Sequence, residues 1–176
     1  NCLLDIMYLT SQCFQNLPPD YTEFKKLVHQ TFPNIIDTKF VTGSDKFKEL
    51  FSNTVLNQVF ERLQTDPFKT VDIEWENEYQ TYDLKRPKEH EAGFDSFLTG
   101  YCFLVILKHL KVNLAPKFEK CKELSAFLNR IGLQRIATPY IYITGQELTP
   151  SRSHVFHINF PSTWQTSDIQ NQFKNY

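Results

Sequence analysis

One segment limits the folds open to this chain more than any other. Between Phe94 and Leu110 eleven of seventeen residues are apolar, and the run from Tyr101 to Leu107 is unbroken. The segment reads as a helix, and a helix this apolar needs other elements packed against it. Seven continuous apolar residues fall well short of the roughly 20 that cross a bilayer, so the piece is expected to be soluble. Just ahead of the run stands the sequence HEAGFDSFLTG (90–100), which carries a histidine and a carboxylate into the most apolar part of the chain.

The remaining composition is that of a globular protein. Of the 176 residues 41% are hydrophobic and 15% aromatic, enough for one domain, or a piece of a larger one, to bury a core. The chain opens on Asn1 with no leader-like segment behind it, and is expected to be excised from something longer. A net charge of −1 argues against a broad basic face held to nucleic acid through phosphates. Any such contact must rest on local sites. Basic clusters at 85–88 and 117–122 are candidates, although short clusters are usually solvated faces. Cys2, Cys13, Cys102 and Cys121 lie far apart, with no C-x-x-C pair and no zinc-type spacing to a histidine. They read as buried free thiols of a reducing compartment, the cytoplasm or the nucleus, with disulfides the lesser alternative.

Periodicity predicts an opening helix through NCLLDIMYLTSQCF (1–14), buried on most sides with Asp5 inside it. After Pro18 and Pro19, Asp20 caps a second helix with Tyr21, Phe24, Leu27, Val28 and Phe32 on its inner face. NIIDTKFVTG (34–43) reads as a strand, and 53–64 as a helix spaced at Val55, Leu56, Val59, Phe60 and Leu63. A loop follows over 65–89, with an alternating stretch at 71–76 suited to one short acidic-faced strand. Beyond the apolar helix, the pattern predicts a helix near 119–132 and a strand at 139–145. HVFHINFP (154–161) then reads as a strand, and a last helix starts in STWQTSDIQNQF (162–173). Helices alternating with strands imply an α/β layer architecture. Residues 1–150 read as one domain and 151–176 as the start of another.

His90 and Asp95 are five residues apart, about 140° around a continuous helix, so a shared task requires the helix to begin between them. Gly93 is available for an irregular turn there. The plain structural alternative is that Asp95 only helps to start the helix while His90 lies on the surface. Asp5 weighs against that alternative, because a carboxylate on an apolar helix is costly to bury unless it is paired or binds a metal. Two carboxylates and a histidine suit metal-assisted hydrolysis, in which carboxylates hold hard cations and a neutral imidazole takes a proton from water. Two aspartates are too few for a two-metal site. His29, His109, His154 and His157 read as ordinary core or surface residues, since strand residues three apart face opposite ways.

NCLLD (1–5) resembles the second motif of the DEDD exonucleases, and HEAGFD (90–95) resembles their histidine-containing third motif. FPNIIDTKF, DPFK and HVFHINFPSTWQTSDI are similar to the poly(A)-specific ribonuclease branch of that family, in its order, so the resemblance covers nearly the whole chain. It implies an α/β, ribonuclease-H-like exonuclease fold, of which this chain holds the C-terminal part, followed by the beginning of an RNA-recognition-motif-like (RRM-like) unit. It implies hydrolysis of single-stranded RNA from a free 3′ end, poly(A) or small RNAs such as piRNA precursors, with two Mg²⁺ ions, or Mn²⁺ in their place. Asp5 and Asp95 would be metal ligands, His90 the general base, and Lys39 and Asn1 substrate contacts; for Lys39 a solvated lysine at a strand end is the alternative. The first motif, an Asp and a Glu, is absent from these residues and is expected in polypeptide upstream of Asn1. A homodimer is a further expected partner. A nuclease-fold module that binds RNA or protein without catalysis is the competing reading.

Overall fold

The computed structural model of the chain describes residues 2–76, 82, 91–112, 121–134, 136, 138–148 and 150–174. The elements in order are α1 (Cys2–Cys13), α2 (Tyr21–Thr31), α3 (Thr38–Thr42), α4 (Leu56–Leu63), α5 (Ala92–His109), a 3₁₀ turn at Lys122–Leu124, β1 (Arg130–Gly132), β2 (Tyr140–Tyr142) and α6 (Thr166–Gln172). The architecture is mixed α/β with helix predominant. β1 and β2 pair antiparallel with Ile131 opposite Ile141, and an isolated parallel bridge joins Ile36 to Arg130. Among the described residues no helix is long and apolar enough to cross a membrane.

Two apolar clusters hold these elements. The larger is built on α5, whose Tyr101, Cys102, Val105 and Ile106 pack with Val59 and Leu63 of α4 and with Phe47, Phe51 and Phe127. Leu63 and Val105 are completely buried, each contributing about 1.5–3 kcal/mol of transfer free energy. His109 packs on this core: its ring lies against Phe68 and Phe47 at 4.6 and 6.0 Å. The smaller cluster joins Ile6 of α1 and Phe24 and Val28 of α2 to Ile131 and Ile141 on one face of the ladder.

Local chemistry starts the helices. Asp20 accepts the Glu23 N–H at 2.9 Å and starts α2. Glu91 accepts the N–H groups of Gly93 and Phe94 at 3.1 and 2.9 Å, so α5 begins at Ala92, between positions 90 and 95 as a shared task would require. Gly93 is helical rather than an irregular turn, and a side chain there would collide with the Tyr82 hydroxyl. α6 stands at the expected start, with the Gln165 N–H on Asp168 Oδ2 at 2.8 Å.

Elsewhere tertiary hydrogen bonds override local propensity. The strand expected at 34–43 keeps one bridge at Ile36 and then becomes α3, because Asp37 caps the N–H groups of Lys39 and Phe40. The helix expected near 119–132 gives way to the 3₁₀ turn and β1. Asn129 adopts φ 57, a left-handed conformation that asparagine tolerates, and breaks the helical path. The strand at 139–145 shortens to β2 before the turn in which the Gly145 N–H meets the Tyr142 carbonyl. Residues 71–76 and 154–161 pair with no strand among the described residues, and Phe156 is 79% exposed. α1 is helical but not buried on most sides: Ile6 and Thr10 are covered, whereas Leu4, Tyr8 and Leu9 face out. All four cysteines are free thiols, but only Cys102 and Cys121 are buried as expected: Cys2 is half-buried and Cys13 exposed, because they stand on α1, much of which faces out.

Asn129 ties these parts together. Its own N–H donates to the Ile35 carbonyl and its carbonyl accepts the Ile143 N–H, at 2.8 and 2.9 Å. Its side-chain oxygen accepts the Ile35 N–H at 2.9 Å while Nδ2 donates to the Pro33 carbonyl at 3.0 Å. Asn129→Ala leaves the buried Ile35 N–H without its acceptor, frees the Pro33 carbonyl and places alanine at positive φ, so unfolding stability is expected to fall by about 2–4 kcal/mol in urea denaturation. A loss below about 0.5 kcal/mol would contradict this role.

Glu147 secures the chain beyond β2 to α2. Its Oε1 accepts the Tyr21 hydroxyl at 2.7 Å, Lys25 Nζ at 2.9 Å and the Tyr142 N–H at 3.0 Å. Desolvation pushes this carboxyl upward, but the bonds from Tyr21, Lys25 and the Glu147 and Tyr142 N–H groups outweigh it and hold the pKa at about 2. The folded value lies below the ordinary 4.5, so the stabilisation is complete above pH 4.5 and is lost as pH falls toward 2. Melting curves between those limits should show a steeper acid loss in the native protein than in Glu147→Gln; identical slopes would refute the clamp.

Candidate functional site

Asp95 stands in the first turn of α5, half-buried, one residue past the buried Phe94. Its N–H donates to the Glu91 carbonyl and its carbonyl accepts the Thr99 hydroxyl, so the main chain is fixed at both groups. The carboxylate itself has no hydrogen bond or ion pair among the described residues. That is an unusual condition for a half-covered charge, which normally acquires a partner. Glu91, four positions earlier, is already engaged as the cap. Beside it Tyr82 hydrogen-bonds to Glu91, and desolvation together with that carboxylate raises the phenol's pKa. The Tyr82 ring stacks on Phe97 at 5.6 Å and meets Phe94 edge-on at 5.5 Å, with Trp75 against Phe97 at 5.0 Å. The first turn of α5 is therefore braced by an aromatic cluster, and among the described residues the Asp95 carboxylate plays no part in that bracing.

Asp5 lies in the first turn of α1 and is exposed. The cost of burying a carboxylate thus supplies no argument for metal at Asp5, contrary to the expectation from its apolar helix. Its surroundings are still electronegative. The half-buried Cys2 thiol is pushed up to about 12, first by burial, then by Asp37 and then by Asp5. Asp5, Cys2 and Asp37 therefore share one neighbourhood at the start of α1.

Asp37, which the sequence reading passed over, is the structural member of that group. It is buried, with Oδ1 taking the N–H groups of Lys39 and Phe40 at 2.9 and 3.2 Å and Oδ2 taking the Gly132 N–H at 2.9 Å. Those bonds join α3 to β1 and set Lys39 in the first turn of α3 rather than at a strand end. Lys39 is half-buried, and its ammonium has no partner among the described residues. The signal for Asp37 was present as an Asp two residues ahead of a lysine, a cap pattern hidden behind Ile35 and Ile36. His90 and Asn1, the other two candidate residues, lie outside the described residues, as does the basic cluster at 85–88.

As a donor set for a divalent ion, Asp5 and Asp95 are of the right kind: hard oxygens, one exposed and one half-buried without a partner. In number they fall short. Among the described residues no three His, Cys, Asp or Glu side chains converge as a metal centre. These residues fit as part of a ligand set and do not complete one.

Known proteins place the chain. The family model described as CAF1 family ribonuclease matches residues 1–103, and one described as RNA binding domain matches residues 145–176. The human poly(A)-specific ribonuclease PARN is 34% identical over 181 residues, covering 100% of this chain and 28% of that protein. The pre-piRNA 3′-exonuclease trimmer of Bombyx mori is 27% identical over 90% of the chain, and the poly(A)-specific ribonuclease PNLDC1 of Mus musculus 32% identical over 88%. The chain spans 28% to 32% of the length of these relatives. With motifs, mixed α/β fold and the match over its first 103 residues in agreement, the chain belongs to the CAF1 family of ribonucleases.

Proposed function

We propose that the chain is the C-terminal part of a ribonuclease-H-like exonuclease domain, residues 1–150, followed by the start of an RRM-like unit at 151–176. The protein containing it hydrolyses single-stranded RNA from the 3′ end, with removal of poly(A) as the leading activity. The Asp95 carboxylate carries this reading: it is half-buried, fixed by a capped and braced helix, and engaged by nothing else among the described residues. Asp5 and Asp95 would hold divalent ions, Mg²⁺ in first place, jointly with carboxylates from polypeptide outside these residues. Such ions polarise the scissile phosphate and lower the pKa of the attacking water. His90, one residue before the Glu91 cap, accepts the proton of that water as its oxygen bonds to phosphorus. The bond from phosphorus to the 3′-oxygen breaks, and a 5′-nucleotide leaves. Lys39 and Asn1 contact the RNA strand. The free thiols fit a reducing compartment, cytoplasmic or nuclear. Small-RNA trimming is a second reading, favoured by likeness to the Bombyx mori trimmer.

In the full-length protein, Asp5→Ala and Asp95→Ala should each abolish Mg²⁺-dependent hydrolysis. Asp95→Ala should also leave unfolding stability within about 1 kcal/mol, because it removes only a charge at a helix start. Glu91→Ala should cost about 0.5–2 kcal/mol through loss of the cap. His90→Ala should lower kcat by roughly 10²- to 10⁴-fold while metal binding persists. Rates on poly(A), poly(U) and mixed-sequence RNA separate the two substrate readings: strong poly(A) preference supports deadenylation, and equal rates support trimming. An active Asp95→Ala enzyme would overturn the proposal.

A further inference from the structure

The ladder has two unlike faces. Ile131 and Ile141 point into the smaller core, whereas Arg130 pairs across the strands with Tyr142, and Gly132 with Tyr140, on the other face. There the Arg130 guanidinium lies 4.1 Å from the Tyr142 ring centre and 5.7 Å from that of Tyr140. Nη1 is anchored to the carbonyls of Ser125 and Leu128, at 3.1 and 3.4 Å. Nε and Nη2 have no partner among the described residues. Phe40 continues the aromatic surface, 5.1 Å from Tyr140, and passes so close to Gly132 that a Cβ there would touch it at 3.4 Å. Lys39 adjoins Phe40 in α3. The nearby carboxylates are already engaged: Asp37 accepts three N–H groups, and Glu147 pairs with Lys25 at 2.9 Å. The result is a half-buried row of rings carrying an anchored guanidinium with donors to spare and a lysine at its edge.

We propose that this face, Arg130, Tyr142 and Tyr140 with Phe40 and Lys39 at its rim, is a contact surface for single-stranded RNA. Charge complementarity selects the occupant. Ring faces and edges accept bases of any identity, and a planar guanidinium already held over a ring offers its free N–H groups to a phosphate. A near-neutral chain gains affinity from such short-range contacts rather than from a general field. This inference rests on the ribonuclease reading.

The test uses full-length protein in EDTA, so that RNA is bound but not cut, with fluorescein-labelled single-stranded RNA followed by anisotropy at several salt concentrations. Arg130→Gln should weaken binding by about 10-fold and reduce the salt slope by about one. Tyr142→Ala should weaken it by about 5- to 50-fold, and Tyr142→Phe should bind as the native protein does. Because Arg130→Gln also loses its anchor to 125–128, folding is checked by circular dichroism, and native protein is photocrosslinked to 4-thiouridine RNA. A crosslink at Tyr140 or Tyr142 is expected. Native binding with unaltered affinity and slope in folded variants, and crosslinks elsewhere, would overturn this surface while leaving the ribonuclease reading intact. Failure of the native protein to bind single-stranded RNA at all would overturn both.

Discussion

The buried amide of Asn129 is the joint on which the arrangement depends. With main-chain and side-chain groups it holds residues 33–35 against the strand that follows it, and through its carbonyl it fixes the chain leaving β2. Asp37 extends the same seam two residues further on, binding Gly132 of β1 while starting α3. Three hydrogen bonds between Asn129 and residues 33–35, and one from the Gly132 N–H to Asp37, thus set a segment from the first third of the chain beside one from the last third. Apolar burial drives collapse of the smaller core, but burial has no direction, and these bonds decide the register.

That seam sorts the carboxylates by task. Asp37 and Glu91 are spent on N–H groups, and each orders the start of a helix. Glu147 is spent on a tyrosine, a lysine and a main-chain N–H. Asp95 is fixed through its main chain, and its carboxylate has no partner among the described residues. Asp5, exposed beside Cys2, has the access that a ligand shared with other polypeptide requires. The lack of any partner for the Asp95 carboxylate among the described residues is a physical argument for that residue that does not depend on motif likeness.

Much of this was legible in the residues and some was not. α1, α2, α4 and α5 follow from helical spacing, and α2 from Asp20 as cap; α5 is so apolar that no other reading competes. The likeness of NCLLD and HEAGFD to nuclease motifs pointed to the family, and the family match over residues 1–103 agrees with it. The misread elements share a cause. Ile35 and Ile36 favour a strand by propensity, yet a carboxylate two positions on caps a helix. The segment ending in Asn129 has helical composition, yet its fate is set by bonds to residues more than 90 positions away. HVFHINFP has strand composition but no described strand to pair with, so propensity alone does not make it one. Spacing marks the apolar residues on the outer side of α1 as core, because it shows where a helix is apolar and not what covers it.

The central claim is that Asp5 and Asp95 are ligands of the same divalent centre. The most direct measurement is a crystal structure of the full-length protein soaked in Mn²⁺, with the ion located by its anomalous scattering. The account predicts Mn²⁺ at direct-ligand distance from both carboxylates, with further oxygen ligands from polypeptide outside these residues. Manganese bound elsewhere, with Asp95 still lacking a partner, would contradict it.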